Sequence, residues 1–288
     1  MATQLYVAAR TDQGRVRERN EDAFVAADLT LGQYSAVPRW SGRLDVGESG
    51  ALVAVADGLG GAEQGDLASA LVVSSLAQAL AQQAVANRQS SERITGAVEN
   101  AHHAVWMEAC RRGIHMGATL TAAWIRSYDG AAAAYVAEVG DSRAYLLREG
   151  RLTQLTKDQS YVQMLVDAGT VDASQAQSLP FRNIILQAMG HQPTVKVALG
   201  RLDLRLRDCL LLCSDGLTSE VPDEEVRSTI LSSPDLVNAA ERLVDLANAR
   251  GGRDNTTVLV VGVGGDLPAP QPREPVEQTY RIIESFMP

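Results

Sequence analysis

Four aspartates stand at the ends of apolar, strand-like runs. Asp57 closes LVAVAD, Asp141 closes YVAEVGD, Asp215 closes CLLLCSD and Asp254 opens DNTTVLVV. In an antiparallel sheet the C-terminal end of one strand lies beside the N-terminal end of its neighbour, so all four carboxylates can reach one rim. Carboxylates gathered there repel one another unless a cation neutralises them, and hard oxygen ligands suit Mg²⁺ or Mn²⁺. A single Asp-Gly or Asp-Ser is an ordinary turn signal. Its recurrence at strand ends is what points to metal chemistry.

The elements that must position these residues alternate unevenly. LYVAAR, DAFVAA and ALVAVAD read as strands, and helices follow from about Gly65 to Asn87 and from about Ser91 to Arg112, the second with Ser-Ser-Glu as its capping signal. TLTAAWI, AAAYVAEVG, RAYLLREG and RLTQLT come in quick succession, the last two at hairpin spacing. Residues from Asp158 to about Ser178 read as helical, with Tyr161, Leu165, Val166 and Ala168 as the stripe. CLLLCSD and TTVLVVGV are strands bracketing helices near Asp223–Leu231 and Pro234–Ala249. Strands in runs and helices in blocks exclude a regular βαβ repeat and predict an α+β fold of antiparallel sheets with segregated helices. Strands such as LVAVA and CLLLC are apolar on both faces and need cover on both.

The segment TDQGRVRERNEDAF sets Arg17, Glu21 and Asp22 close together. With VADGLGG, GATLTAAWI, VGDSRAYLLREGRLTQLTKDQS, LLCSDGL and RDNTTVLVV, in this order, it resembles the bacterial branch of the type 2C metal-dependent serine/threonine protein phosphatases. The resemblance runs from about Val7 to Val263. It implies two stacked antiparallel sheets forming a sandwich flanked by helices on both outer faces, with a phosphatase domain over 1–264; the chain departs from the family pattern after it, where 265–288 reads as a Pro-rich spacer and short amphipathic tail. It implies hydrolysis of phosphoserine and phosphothreonine by a water bridging two divalent cations, Mn²⁺ or Mg²⁺. Asp57 would bridge the ions, Asp215 and Asp254 would complete the first shell, and the Gly58 carbonyl and Glu21 would serve the second. Asp22 would orient metal-bound water, and Arg17 would fork onto the substrate phosphate, a natural use of its planar donors. Asp141, with Asp215, would hold a third, weaker ion. Phosphorylated proteins, including a serine/threonine kinase or its substrates, are the implied partners. A catalytically silent regulatory or phosphoprotein-binding module is the alternative, opposed by the filled ligand positions. Where eukaryotic relatives often carry a histidine after the Asp-Gly, this chain has Leu59, which leaves a metal-bound water or an unidentified group as the general acid.

Composition bounds the rest. A chain of 288 residues, 45% hydrophobic, can bury one large core, and a formal charge of −9 speaks against a nucleic-acid partner. No signal peptide is evident, and the uncharged Leu67–Ala86 carries enough Gln and Ser to read as a helix of a soluble protein, so a monomeric cytoplasmic protein with no membrane partner is expected. Cys110, Cys209 and Cys213 form no CxxC pair and are expected to be reduced, buried thiols. His102, His103, His115 and His191 match no metal-binding spacing and read as surface or packing residues, with His191, in a flap after QAMG, the one candidate for catalysis. The stretch from Asp28 to Gly50 is expected to form a surface hairpin pinned by Tyr34 and Trp40, with a partner-docking surface as the alternative. The apolar cluster at the C-terminus is expected to pack back onto its own domain.

Overall fold

The computed structural model describes residues 3–287 except 36, 60–63, 83–88, 173–174, 176–178, 180 and 182, with the side chains of 33–35 also outside the description. The expected helix end at Asn87 and much of the segment towards Ser178 lie outside the described residues. In chain order come β1 (Gln4–Asp12), β2 (Asp22–Asp28), β3 (Gln33–Ser35), β4 (Arg39–Asp45), β5 (Ala51–Leu59), α1 (Gly65–Gln82) and α2 (Ser90–Arg112). Next are β6 (Gly117–Ala118), β7 (Leu120–Tyr128), β8 (Ala131–Val139), β9 (Arg143–Arg148), β10 (Arg151–Gln154), α3 (Tyr161–Asp167), β11 (Ala198–Asp203) and β12 (Cys209–Cys213). The chain ends with α4 (Asp215–Thr218), α5 (Asp223–Ser232), α6 (Leu236–Ala249), β13 (Thr256–Gly264) and β14 (Tyr280–Glu284).

Among the described residues the strands form two antiparallel sheets. A six-stranded sheet runs β10-β9-β12-β13-β1-β4, and an eight-stranded sheet runs β14-β11-β8-β7-β5-β2-β3 with β6 against β5. Side chains alternate across a strand, and that alternation explains the layers. In β5, Val53 and Val55 join Phe24, Leu146, Leu212 and Leu259 in a core between the sheets. Leu52 and Ala54 face the other way and pack on α1 and α2 through Val72, Leu76 and Val98. In β12, Leu211 faces outward to meet Leu243 and Val244 of α6. Each such buried side chain contributes about 1.5–3 kcal/mol relative to exposure. The double apolar faces expected of LVAVA and CLLLC are thus covered by a second sheet on one side and by helices on the other.

Several local expectations change. The 28–50 stretch is not one hairpin of its own: its start turns back so that β3 forms a hairpin with β2, Asp28 opposite Gln33, at the edge of one sheet, whereas β4 pairs with β1 at the edge of the other. Trp40 packs against the inter-sheet core. Gln89 caps α2 without a side-chain hydrogen bond, so the Ser-Ser-Glu run already belongs to the helix. Helix α3 stops at Asp167 because Gly169 takes a positive φ of 66°, and it buries Val162 rather than the expected stripe. Cys110 is exposed, while Cys209 and Cys213 are buried.

The C-terminal segment lies along its own domain through backbone pairing and Tyr280, while Ile282, Ile283 and Met287 of its apolar cluster stay exposed. Strand β14 pairs with β11, and the Tyr280 hydroxyl donates to the Leu155 carbonyl at 2.8 Å. Buried Arg148 donates to Asp208 at 2.7 Å, to the Thr279 hydroxyl at 2.7 Å and to Glu274 at 3.2 Å. A buried arginine needs such partners, since losing one leaves an uncompensated charge.

Candidate metal centre

The alternation that builds the inter-sheet core also aims the polar residues at its end. In β2, Phe24 and Ala26 face the gap between the sheets, which puts Asp22 on the same side. Likewise Leu210 and Leu212 of β12 lead to Ser214, and Leu259 and Val261 of β13 lead back to Thr257. Asp22, buried at the rim, accepts from the Ser214 hydroxyl and the Thr257 hydroxyl, each at 2.7 Å through Oδ2. The Thr257 amide donates to Ser214 Oγ at 2.9 Å. One carboxylate thus ties the two sheets together, and its Oδ1 remains buried without a partner.

Asp57 lies directly across from Asp22 in the β2–β5 register. Its amide donates to Thr119 Oγ1 at 2.9 Å, and its carbonyl accepts from the Thr119 amide at 2.8 Å. Thr119 is held in turn by Ser142 at 2.7 Å, beside Asp141. Gly58 has to be glycine: a Cβ there would stand 2.2 Å from the Gly65 carbonyl oxygen and 2.6 Å from that of Glu21. Glu21 is fixed through its backbone, which accepts from Ser69 Oγ at 2.6 Å and from the Gly58 amide at 3.2 Å. Its side chain lies against the start of α1, where a Cβ on Gly65 would meet Glu21 Oε1 at 2.7 Å.

The loop between β1 and β2, which carries Arg17, rests on the turn before β13. The Arg15 amide donates to the Gly252 carbonyl at 2.7 Å, and a Cβ on Gly14 would sit 2.4 Å from the Asp254 carbonyl oxygen. Buried Asn255 locks the two segments together. Its Nδ2 donates to the carbonyls of Gln13 and Arg19, at 2.9 and 2.8 Å, and its Oδ1 accepts from the Glu21 amide at 2.8 Å. Half-exposed Arg17 donates to Asp254 at 2.7 Å, which raises its pKa further above its ordinary value.

The carboxyls load one another electrostatically. Burial, then Asp22, Asp215, Asp141 and Asp254, push the Asp57 carboxyl well above the ordinary carboxylate range. Asp141 is raised likewise, by burial and then by Asp215 and Asp158. Burial raises Asp22 to about 7 and Asp215 to about 6, the latter against the hydrogen bond it shares with Asp57. Asp215 Oδ1 is a second buried oxygen without a partner. Excess negative charge, sealed acceptor atoms and two carboxyls sharing a hydrogen bond are what divalent cations relieve, so the residues fit such a group. Among the described residues no three of these side chains are already drawn around one point as a finished coordination shell.

All eight residues singled out in the sequence, Arg17, Glu21, Asp22, Asp57, Gly58, Asp141, Asp215 and Asp254, lie in the segments that meet at this rim. Sequence reasoning missed Ser214, Thr257 and Asn255, although all three sit inside the CSDG and RDNTTVLVV motifs. Leu59, next to Gly58, lines a cavity with His115 and His191. His102 is buried and has no face on the solvent. Burial pushes the thiols of Cys209 and Cys213 up to about 12, which removes them as nucleophiles.

Known proteins resemble this chain over most of its length. A family model described as protein phosphatase 2C matches residues 41–254. The serine/threonine protein phosphatase PstP of Mycobacterium tuberculosis is 38% identical over 269 residues, which cover 90% of this chain and 45% of PstP. The chain therefore spans about half the length of that relative. The serine/threonine phosphatase stp of Listeria monocytogenes is 34% identical over 261 residues, covering 89% of this chain and 95% of stp. A crystal structure of the catalytic domain of PstP in complex with 2 manganese ions superposes with a TM-score of 0.74 at 34% identity, covering 91% of this chain and 100% of that domain.

Proposed function

The chain belongs to the protein phosphatase 2C family, and on that premise we propose that it hydrolyses phosphoserine and phosphothreonine monoesters of proteins with divalent cations held at the carboxylate rim. The observation that carries this proposal is the mutual electrostatic loading of Asp57, Asp215, Asp22 and Asp141 at the end of the inter-sheet core. Asp57, Asp215 and Asp254 would hold one ion. Asp57, the Gly58 carbonyl and Glu21 would hold the other, and Asp141 with Asp215 a third. Mn²⁺ or Mg²⁺, when bound, supplies charge neutralisation for the phosphoryl oxygens and acidifies water near neutral pH.

The remaining work falls to the chain's own residues. Arg17 stands half-exposed at the edge of the rim, where its planar fork can leave Asp254 for a phosphate. Asp22 is anchored through Oδ2, which leaves Oδ1 to orient a water or accept its proton. Asn255 holds the segments bearing Arg17 and Glu21 in register, so that phosphate and rim keep a fixed separation. Catalysis is assigned to residues 1–264, and β14 of the segment that follows runs along one sheet edge. A serine/threonine kinase or its substrates are the proposed partners of a monomeric, cytoplasmic enzyme. No helix among the described residues is long and apolar enough to cross a membrane.

The test is phosphate release from phosphothreonine and phosphoserine peptides, measured after EDTA treatment and again after Mn²⁺ is restored. Hydrolysis that survives exhaustive chelation would refute a metal-dependent phosphatase.

Two substitutions separate the roles. Arg17→Ala removes a charge-assisted contact worth about 1.5–3 kcal/mol, so kcat/KM should fall roughly 10–100-fold with the larger part in KM. Steady-state kinetics indistinguishable from wild type would remove Arg17 from the phosphate site. Asn255→Ala unpins the loop and leaves the Glu21 amide and two carbonyls unsatisfied. It should lower kcat/KM by about two orders of magnitude through misplacement and lower Tm by a few degrees, read by steady-state kinetics and calorimetry. An unaltered kcat/KM would show that the loop positions itself.

A further inference from the structure

Beside the rim lies a cavity of about 300 Å³ whose walls include Leu59, Met116, Ile185 and Ala188, with His115 and His191 at its exposed margin. It is continuous with the metal centre through the backbone. Leu59 follows Gly58, and Ala118 pairs with Gly58 on one side and with Met189 on the other. The Met189 amide donates to the Ala118 carbonyl at 2.8 Å, so the 188–191 loop is laced to the strand that ends at the rim.

A second anchor comes from α2. Gly190, in the left-handed region at φ 73°, donates its amide to Nδ1 of His102 at 3.0 Å. The seat is tight, since a Cβ on Gly190 would stand 2.2 Å from Val105 Cγ1. His102 is 4% exposed. An Nδ1 that accepts a hydrogen bond carries no proton, and burial keeps the imidazole neutral by lowering its pKa. His102 is therefore built to hold this loop and has no exposed face with which to meet a substrate.

We propose that the cavity receives an apolar side chain of the phosphoprotein, neighbouring the phosphoresidue, and that His102 is the positioning residue that keeps the loop wall of that cavity in place. This rests on the phosphatase function proposed above. The occupant follows from the walls. A phosphoryl group at the rim would bring the adjoining substrate chain towards Leu59, where Leu59, Met116, Ile185 and Ala188 form the apolar part of a wall that Gln187 and Gln192 complete. Filling a hydrophobic pocket typically discriminates by roughly 10–200-fold.

The experiment compares phosphothreonine peptides bearing Leu, Gly or Asp at each position neighbouring the phosphoresidue, with p-nitrophenyl phosphate assayed on the same samples. Peptide kcat/KM is divided by that for p-nitrophenyl phosphate, so a general loss of folding or metal cancels. Wild type should prefer Leu over Gly by about tenfold at one neighbouring position, mainly through KM, with Asp lowest. His102→Ala should compress that preference to about twofold, and His102→Asn, which can still accept from the Gly190 amide, should restore most of it. Ile185→Glu, in the half-buried wall, should abolish the preference without touching His102. A wild-type enzyme indifferent to the neighbouring residue, or an Ile185→Glu variant with the wild-type preference, would overturn the cavity. A full preference in His102→Ala would overturn the role of His102. Failure of wild type to hydrolyse p-nitrophenyl phosphate at all would overturn the phosphatase function and the cavity with it.

Discussion

Replacing Asp57 by asparagine is expected to lower turnover on a phosphothreonine peptide by at least about three orders of magnitude while the fold is retained. Asparagine is nearly isosteric, so the β5 backbone keeps its hydrogen bonds to Thr119. What changes is charge. Asp57 is the carboxyl that faces Asp22, Asp215, Asp141 and Asp254 together, and a neutral amide there neither attracts nor bridges cations as a carboxylate does. Relief of that repulsion should also make the metal-free variant more stable than metal-free wild type. Steady-state kinetics with saturating Mn²⁺ and calorimetry in EDTA read the two effects separately. Turnover within tenfold of wild type would remove Asp57 from the centre of the chemistry.

The same repulsion predicts an unusual dependence of stability on pH. In the unfolded chain these aspartates lose their protons near their ordinary value of 3.8, whereas in the folded protein Asp215 holds its proton to about 6 and Asp22 to about 7. Asp57 and Asp141 are raised as well. Between about pH 4 and pH 7 the folded state therefore binds more protons than the unfolded state, and stability must fall as pH rises. A tenfold difference in proton affinity between the two states corresponds to roughly 1.4 kcal/mol, and each kcal/mol to about 2–4 °C for a chain of this size. In EDTA, Tm should thus drop by several degrees from pH 5 to pH 7.5, and the drop should shrink in Asp57→Asn. Saturating Mn²⁺ should remove it by taking the place of the protons. Carboxyls lowered by arginine or lysine partners, such as Glu224 and Asp167, act in the opposite sense and no higher than the ordinary carboxylate range, so a scan that begins at pH 5 is little affected by them. A metal-free Tm that stays level or climbs from pH 5 to pH 7.5 would contradict the electrostatic account of the rim.

Much of the site was legible in the sequence because its carboxylates punctuate strands whose apolar runs are hard to mistake. LVAVAD and CLLLCSD announce both a buried strand and the residue that ends it. The strands that escaped notice carry little apolar signal. Edge strand β4, RWSGRLD, and β11, ALGRLD, which lies between β14 and β8, both carry charge, and edge strand β14, YRIIE, leaves most of its side chains exposed. Positioning residues escaped for a different reason. Ser214 and Asn255 act on Asp22 and Glu21 across 192 and 234 residues of chain, and no local pattern encodes a contact made only when two sheets close. The helix expected from Asp158 is present only as the short α3, which Gly169 ends by supplying a positive φ.

Central to this account is that the rim is a divalent-metal centre whose filling switches on phosphate ester hydrolysis. The most direct test titrates Mn²⁺ into the metal-free protein while bound Mn²⁺ per chain and phosphate release from a phosphothreonine peptide are followed together, for wild type and for Asp57→Asn. Wild type should show activity rising in step with the second bound ion, and the variant should show neither tight binding nor turnover. Full activity with no bound divalent ion, or wild-type turnover in Asp57→Asn, would contradict it.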